Sequence, residues 1–460
     1  MSTQPPSFSP SPEPGSASSQ PGEPFAIESF QNPYLAEGTD RVDAIVTVTA
    51  TDDAAGGGQA GTTGPSLLLG LIIDTSGSMQ GPRIEAVRSA VETAVQLLDE
   101  GSQFFVVAFA NFGRVVVPTT RATAQAKAAA ARAVHGLTAA GGTAMSQGLA
   151  AARSLFANSP GSIAQCLFLT DGKNESEQPQ EVAQELSRCT GMFSCDCWGV
   201  GTDWRVGEVQ QIASSLLGKA SLIPEPEGIA TAFSDAVGKA QAKSVRDVRL
   251  RVWTPAGAQV VACKQVSPTI EDLTTRGGQL SAQVREYDTG AWGAGEARDY
   301  QLAVRVSPGR VGDEMLAARP SIVYRQPDGS QVEVKGPRAR VLASWTADDT
   351  LSSRLDSTVA HYNGQDELAS AIQKGLEARE QGDEASATQM LGRAVQLAHA
   401  SDNTEMTTRL KKVVDVVDPS SGTVRLKKSV AKAAAMDLEL ESTTTRRARR
   451  PGTPAAGAGG

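Results

Sequence analysis

The pattern of hydrophobic and polar positions changes along the chain and divides it into parts. From 66 to 243, continuous apolar runs such as SLLLGLIID (66–74) alternate with stretches whose apolar residues recur at helical spacing. A continuous apolar run is typical of a strand that is buried on both faces of a parallel sheet. Strands that alternate with helices predict a doubly wound α/β domain with a mostly parallel sheet.

The pattern turns to period two between 244 and 346. Segments such as VRDVRLRVWTP and RDYQLAVRVS place apolar residues at alternate positions, and turn residues such as the PDG at 327–329 separate them. Short strands with turn signals predict an antiparallel β-sandwich. The strand RVDAIVTVTA (41–50) has the same alternation but precedes the α/β domain. We therefore expect residues 25–50 to join the sandwich, with the α/β domain inserted next to it.

The remaining segments are helical or polar. Apolar residues recur at helical spacing in 347–418 and predict helices that pack on the preceding domains. Residues 1–24 are rich in Pro, Ser and Gly and are predicted to be disordered, and 51–65 is predicted to be a flexible Gly-rich linker. The tail, 419–460, is predicted to be mostly disordered.

Composition and charge restrict the class of protein. The 460 residues include 43 Lys and Arg against 51 Asp and Glu, which argues against nucleic-acid binding because nucleic-acid-binding proteins normally present a basic surface. No apolar run approaches the roughly 20 residues of a transmembrane helix, and the N-terminus lacks the features of a secretory signal. Five cysteines without such a signal indicate reduced thiols, so we expect a cytoplasmic protein with no transmembrane segment.

Three oxygen-rich motifs fall at the ends of predicted elements of the α/β domain. Asp74 ends the first strand and is followed by Ser76 and Ser78 at alternate positions. Thr143 precedes a predicted helix in GGTAMSQG, and Asp171 ends the strand LFLTD. Ligands of doubly wound sheets bind beyond the carboxyl ends of the strands, so we expect these five side chains to meet at that edge.

A cation is expected where the motifs meet. Two neighbouring carboxylates repel each other, and the motifs contain no Lys or Arg apart from Lys173 directly after the last. Ligation by oxygen atoms alone is the preference of a hard cation such as Mg²⁺. Each hydroxyl taken alone is better explained as a helix cap. The combination of three hydroxyls with two strand-end aspartates favours the metal site.

The motif resembles the metal-ion-dependent adhesion site of von Willebrand factor type A (VWA) domains. The pattern Asp74-x-Ser76-x-Ser78, then Thr143, then Asp171, matches that site position by position. The resemblance implies that the three hydroxyls contact the metal directly and that the two carboxylates do so directly or through water. It implies Mg²⁺, Mn²⁺ or Ca²⁺ as the metal, and a Glu or Asp of a partner protein as the ligand that completes the coordination.

The resemblance also implies a function: a non-catalytic, divalent-metal-dependent protein-interaction module of bacterial multidomain type. Two alternatives stay open. In the first, Asp74 is the nucleophile of a haloacid-dehalogenase-type phosphatase, although Ser76 stands where that motif has its second Asp. In the second, the protein is a scaffold whose metal site is vestigial.

The segment LELESTTTRRARR (438–450) suggests regulation. It places acidic residues before Thr443, Thr444 and Thr445, and four arginines after them. A phosphothreonine adds negative charge and acceptor oxygens that an Arg-bearing reader domain can bind. The layout resembles substrates of bacterial Ser/Thr kinases that forkhead-associated domains bind. The three threonines are therefore candidate phosphorylation sites, and such kinases and domains are candidate partners; the alternative is a solvated tail.

Overall fold

The fold is taken from a computed structural model, which describes residues 23–55, 66–159, 161–326 and 328–448. Nearly all of the predicted disordered segment 1–24 and most of the predicted linker 51–65 lie outside the described residues, as does the end of the tail. In the described part of the chain, no helix combines the length and the apolar character needed to cross a bilayer.

Three strands precede the α/β domain: β1 (Phe25–Phe30), β2 (Tyr34–Ala36) and β3 (Arg41–Ala50). The strands of the α/β domain are β4 (Leu67–Asp74), β5 (Gln103–Phe109), β6 (Gly113–Arg121), β7 (Ile163–Thr170), β8 (Ser194–Val200) and β9 (Ala220–Ile223). Its helices are α1 (Pro82–Gln96), α2 (Ala124–His135), α3 (Met145–Phe156), α4 (Pro179–Cys189), α5 (Val206–Ser215) and α6 (Ile229–Gln241).

The sheet of the α/β domain has the order β6-β5-β4-β7-β8-β9 and is parallel except for the antiparallel edge strand β6. Every residue of β4 is buried, because α1, α2 and α6 contribute to the core on one face of the sheet while α3, α4 and α5 contribute to the core on the other. This arrangement confirms the predicted doubly wound, mostly parallel fold. All five cysteines are buried free thiols, and four of them lie in the second of these cores.

The sandwich adds nine strands: β10 (Lys243–Trp253), β11 (Gln259–Ser267), β12 (Glu271–Asp272), β13 (Gly278–Ser281), β14 (Val284–Gly293), β15 (Ala297–Arg305), β16 (Glu314–Arg325), β17 (Gln331–Val334) and β18 (Val341–Thr346). One sheet has the order β1-β3-β15-β11-β12, and the other has the order β13-β14-β10-β16-β18-β2, with β17 paired to β16. Because β3 and β10 belong to the sandwich, the α/β domain is an insertion between them. The predicted second, antiparallel sheet domain is confirmed.

The C-terminal part is built mainly of helices: α7 (Asp349–Ser352), α8 (Ser357–Glu380), α9 (Glu384–Ala400), α10 (Thr404–Val413) and α11 (Lys432–Glu441). A hairpin of β19 (Val414–Asp418) and β20 (Thr423–Leu426) lies between α10 and α11.

The prediction that 419–460 is mostly disordered is wrong for its described residues, 419–448. Val424 of β20 and Leu438 of α11 are buried in the core of the C-terminal helices. Leu440, also of α11, is buried in the core of the α/β domain. These apolar residues are few and stand among charged ones, so the segment resembles a solvated tail until its distant packing partners are known.

The packing of this hairpin can be tested with two helical glycines. A Cβ atom on Gly392 of α9 would lie 2.3 Å from the carbonyl oxygen of Gly422 in the hairpin turn, whereas one on Gly364 of α8 would meet nothing within 4 Å. We expect Gly392→Ala to lower the free energy of unfolding by about 1–3 kcal/mol, since the added methyl group overpacks a backbone contact. We expect Gly364→Ala to raise it by about 0.5–1 kcal/mol through helix propensity.

Denaturation followed by circular dichroism would measure both variants. If Gly392→Ala stabilised the protein as much as Gly364→Ala, the hairpin would not pack on α9 as the structure has it.

Candidate metal centre

Parallel pairing of β4 and β7 brings the two aspartates of the motif together. Ile73 of β4 pairs with Leu169 of β7, so the two strands end side by side. Asp74 and Asp171 follow these residues, and both are fully buried. The Thr170 hydroxyl donates a hydrogen bond of 2.6 Å to Oδ2 of Asp74, which ties the two strand ends to each other.

The turn after Asp74 brings two serine hydroxyls together, and one of them binds Asp171. The backbone N–H of Ser76 donates to Oδ1 of Asp74 at 2.8 Å and fixes the start of the turn. The Oγ atoms of Ser76 and Ser78 lie 3.0 Å apart, and the Ser78 hydroxyl donates to Oδ1 of Asp171 at 2.6 Å. Ser78 is exposed, so the centre opens to solvent on its side.

A second loop, residues 140–143, brings in Thr143. The carbonyl oxygen of Gly141 accepts a 2.9 Å hydrogen bond from the backbone N–H of Gly77. The N–H of Gly142 donates to Oδ1 of Asn111, and the N–H of Thr143 donates to Oγ of Ser176, each at 2.9 Å. These bonds hold the loop against the turn that carries the serines. Sequence reasoning did not identify Asn111 or Ser176, because both act on backbone atoms of the loop.

The three hydroxyls converge on one point beside Gly172. A Cβ atom on that glycine would lie 3.0 Å from Oγ1 of Thr143, 3.4 Å from Oγ of Ser78 and 3.9 Å from Oγ of Ser76. The absence of a side chain at Gly172 therefore leaves open the space that three oxygen atoms surround. All five predicted site residues are brought together: the hydroxyls at this point, and the two aspartates through their hydrogen bonds to Ser76 and Ser78.

Burial makes ionisation of Asp74 unfavourable. Removal from water raises the pKa of Asp74 to about 6, although the hydrogen bonds from Thr170 and Ser76 lower it, and the neighbouring charge of Asp171 raises it further. A carboxylate in this environment is stabilised by a nearby positive charge.

Arg83 supplies a positive charge to the other buried carboxylate, Asp171, and sequence reasoning missed it. Its Nη1 donates to Oδ2 of Asp171 at 2.5 Å, and its Nη2 lies 3.5 Å from Oδ2 of Asp203. Arg83 lies outside the three motifs, in the first turn of α1 and five residues after Ser78. Arg83 pairs with only one of the two buried carboxylates, so among the residues that the structure describes Asp74 has no arginine as a hydrogen-bond partner.

The residues present fit a hard divalent cation. The oxygen donors are two carboxylates and three hydroxyls, the set that Mg²⁺ prefers over nitrogen or sulfur. The described residues contain no group of three or more His, Cys, Asp and Glu side chains that could hold a metal ion. A metal at this edge of the sheet would therefore depend on the hydroxyls of the serines and of Thr143.

Comparisons with known proteins identify the family. The family model of the von Willebrand factor type A domain matches residues 69–222, and that of the von Willebrand factor type A C-terminal domain matches residues 396–442. A solved structure of a von Willebrand factor type A protein from Catenulispora acidiphila is 40% identical, with a TM-score of 0.85, and the match covers 92% of this chain and 97% of that one. The chain belongs to the von Willebrand factor type A family.

Two further matches to this VWA protein are more distant. The ArnB paralog VWA2 from Sulfolobus acidocaldarius is 15% identical with a TM-score of 0.57, and the match covers 91% of this chain and 98% of that one, which shows a shared fold. An uncharacterized Synechocystis protein is 28% identical over 231 residues, which cover 48% of this chain and 53% of the relative. The chain thus spans about half the length of that curated relative.

The three candidate phosphorylation sites lie along the edge of the sandwich. The carbonyl oxygen of Thr443 accepts a hydrogen bond from the N–H of Ile270, and the N–H of Thr445 donates to the carbonyl of Pro268. The Thr445 hydroxyl donates to the carbonyl of Val266 at 2.6 Å, and all three threonines, including Thr444, are partly buried. Phosphorylation stays a prediction, and it would require this segment to leave the edge of the sheet.

The role of Arg83 can be tested with Arg83→Met. We expect the variant to lose about 1–3 kcal/mol of unfolding free energy in EDTA, because Asp171 loses its charged hydrogen-bond donor. Mg²⁺ should raise the melting temperature of this variant more than that of the wild type, since the cation would replace the missing charge. Thermal unfolding with and without Mg²⁺ measures both effects.

Arg205→Met is the matched control, because Arg205 is an exposed arginine that pairs with Glu208 at 2.9 Å. Its effect should stay within about 0.5 kcal/mol. An equal response of the two variants to Mg²⁺ would contradict the assignment of Arg83.

Proposed function

We propose that this VWA protein is a divalent-metal-dependent protein-binding module. Domains of this family are commonly protein-interaction modules. The observation that carries the proposal is the convergence of three hydroxyls on the open point at Gly172, beside two buried carboxylates. The residues that would hold the metal are Asp74, Ser76, Ser78, Thr143 and Asp171. The partner would contribute the carboxylate of a Glu or Asp.

The choice of ligands explains why an external carboxylate would bind. Hydroxyl groups coordinate through oxygen but carry no charge, so a bound Mg²⁺ would keep positive charge available for an acidic side chain. Arg83 offsets part of the negative charge of Asp171. Ser78 is exposed, and an acidic side chain can therefore approach the centre from solvent on its side.

The geometry disfavours the phosphatase alternative. A nucleophilic aspartate needs a free oxygen that faces the substrate. Asp74 is fully buried, and its two carboxylate oxygens accept hydrogen bonds from the Thr170 hydroxyl and from the N–H of Ser76. These contacts suit a residue that orders the turn and would act on the metal through a bound water molecule. The experiment below tests the other alternative, a scaffold whose metal site is vestigial. The cytoplasmic location, the kinase and the forkhead-associated partners stay predictions.

The experiment compares Asp74→Ala with the wild type. We expect Asp74→Ala to weaken Mg²⁺ binding by about 10- to 100-fold, because the carboxylate that orders the ligands and balances the charge is lost. Isothermal titration with Mg²⁺ measures the affinity, and circular dichroism verifies folding. Partner proteins captured from lysate in Mg²⁺ should be lost both in EDTA and with the variant.

Asp203→Ala is the matched control. Asp203 is an exposed carboxylate beside Arg83 but is not one of the five proposed ligands. Its removal should leave the Mg²⁺ affinity and the capture of partner proteins nearly unchanged. Normal Mg²⁺ affinity in Asp74→Ala would overturn the proposed centre, and capture that survives both EDTA and Asp74→Ala would support the vestigial site.

A further inference from the structure

An exposed aromatic ring lies in a turn that is attached to the proposed metal centre. Phe112 lies in the turn between β5 and β6, and its side chain is 79% exposed. The other exposed large apolar side chains among the described residues range from 39% at Tyr34 to 66% at Leu355. Single apolar residues on a surface are common and need no explanation by themselves. Phe112 differs from the others because its turn is attached to the loop that carries Thr143.

The turn is fixed to the loop that carries Thr143. Oδ1 of Asn111, the residue before Phe112, accepts from the N–H of Gly142, and the carbonyl oxygen of Ala110 accepts from the N–H of Ala144, each at 2.9 Å. Thr143 lies between these two attachment points. The ring therefore projects into solvent from a backbone that is tied to both sides of a proposed metal ligand.

The same turn packs directly against α3. A Cβ atom on Gly113 would lie 2.2 Å from the carbonyl oxygen of Gln147 and 3.1 Å from the Cβ of Ala151. The missing side chain at Gly113 allows this approach, which leaves the backbone at Phe112 little freedom to move. A rigidly presented aromatic side chain is typical of residues that contribute strongly to protein interfaces.

The charges around the centre favour an isolated acidic residue in the partner. Asp203 and Glu175 are 69% and 66% exposed, and within the described ranges each makes only a long ion pair, at 3.5 Å with Arg83 and at 3.9 Å with Arg205. Asp203 lies beside Arg83, and Glu175 directly precedes Ser176, which binds the Thr143 loop. These carboxylates would repel a run of acidic residues while leaving the metal accessible to one.

We infer that the partner segment carries a single Asp or Glu with a large apolar residue within about three positions of it, the acid for the metal and the apolar side chain for Phe112. The inference rests on the proposed function and deepens it. It treats Phe112 as the residue that determines which acidic segments bind.

A selection from random peptides tests the inference. Phage-displayed peptides are captured on the full chain in Mg²⁺ and eluted with EDTA. The eluted peptides should share one acidic residue and a nearby large apolar residue. Selection on Phe112→Ser should keep the acidic residue and lose the apolar one. A peptide from the wild-type selection should bind Phe112→Ser roughly ten-fold more weakly or worse, with Mg²⁺ affinity unchanged.

Leu355→Ser is the matched control, because it removes an apolar side chain of similar exposure from the loop between α7 and α8. It should not change peptide affinity. Two results would overturn the inference and leave the proposed function standing. One is that the eluted peptides share an acidic residue but no nearby apolar residue. The other is that a peptide binds Phe112→Ser as tightly as it binds the wild type. The absence of EDTA-eluted acidic peptides would overturn the proposed function and the inference with it.

Discussion

Two carboxylates buried side by side are the constraint on which the candidate site depends. Asp74 and Asp171 are fully buried because β4 and β7 are adjacent, parallel and covered on both faces. Burying a charged group is strongly unfavourable unless hydrogen bonds or an opposite charge compensate for it. Thr170, Ser78 and Arg83 provide part of that compensation from three different elements. The loops at this edge are therefore organised around the two charges, and the same organisation directs the hydroxyls toward one point.

The domain arrangement fixes this edge relative to the rest of the molecule. The α/β domain leaves the sandwich after β3 and returns to it at β10, so both of its connections lead into the sandwich. Helix α11 then links the parts, with Leu438 in the core of the C-terminal helices and Leu440 in that of the α/β domain. Beyond it, Arg447 pairs with Asp299, a buried carboxylate of β15 that also accepts from Tyr362 of α8. The C-terminal segment therefore stabilises the contacts among all three parts.

The sequence was sufficient to predict features that depend on residues close together along the chain. The continuous apolar run that ends at Asp74, and the spacing of Ser76 and Ser78, lie within one short stretch, and a parallel sheet places the strand ends at a common edge. The prediction failed where partners are distant in sequence. Arg83 meets Asp171 across 88 residues, and Leu440 is buried by elements more than 200 residues away. Neither contact leaves a pattern in the sequence around it.

The position of Phe112 also depends on contacts outside its own stretch of sequence. This residue lies in the turn between β5 and β6, and nothing in the neighbouring residues indicates that this turn is attached to the Thr143 loop. The glycine after it and the asparagine before it bind the turn to α3 and to the Thr143 loop, and this attachment turns the ring outward. A metal centre alone would accept many acidic side chains, because a carboxylate is common on protein surfaces. Discrimination among them requires contacts outside the coordination sphere, and a fixed aromatic ring next to the centre offers such a contact.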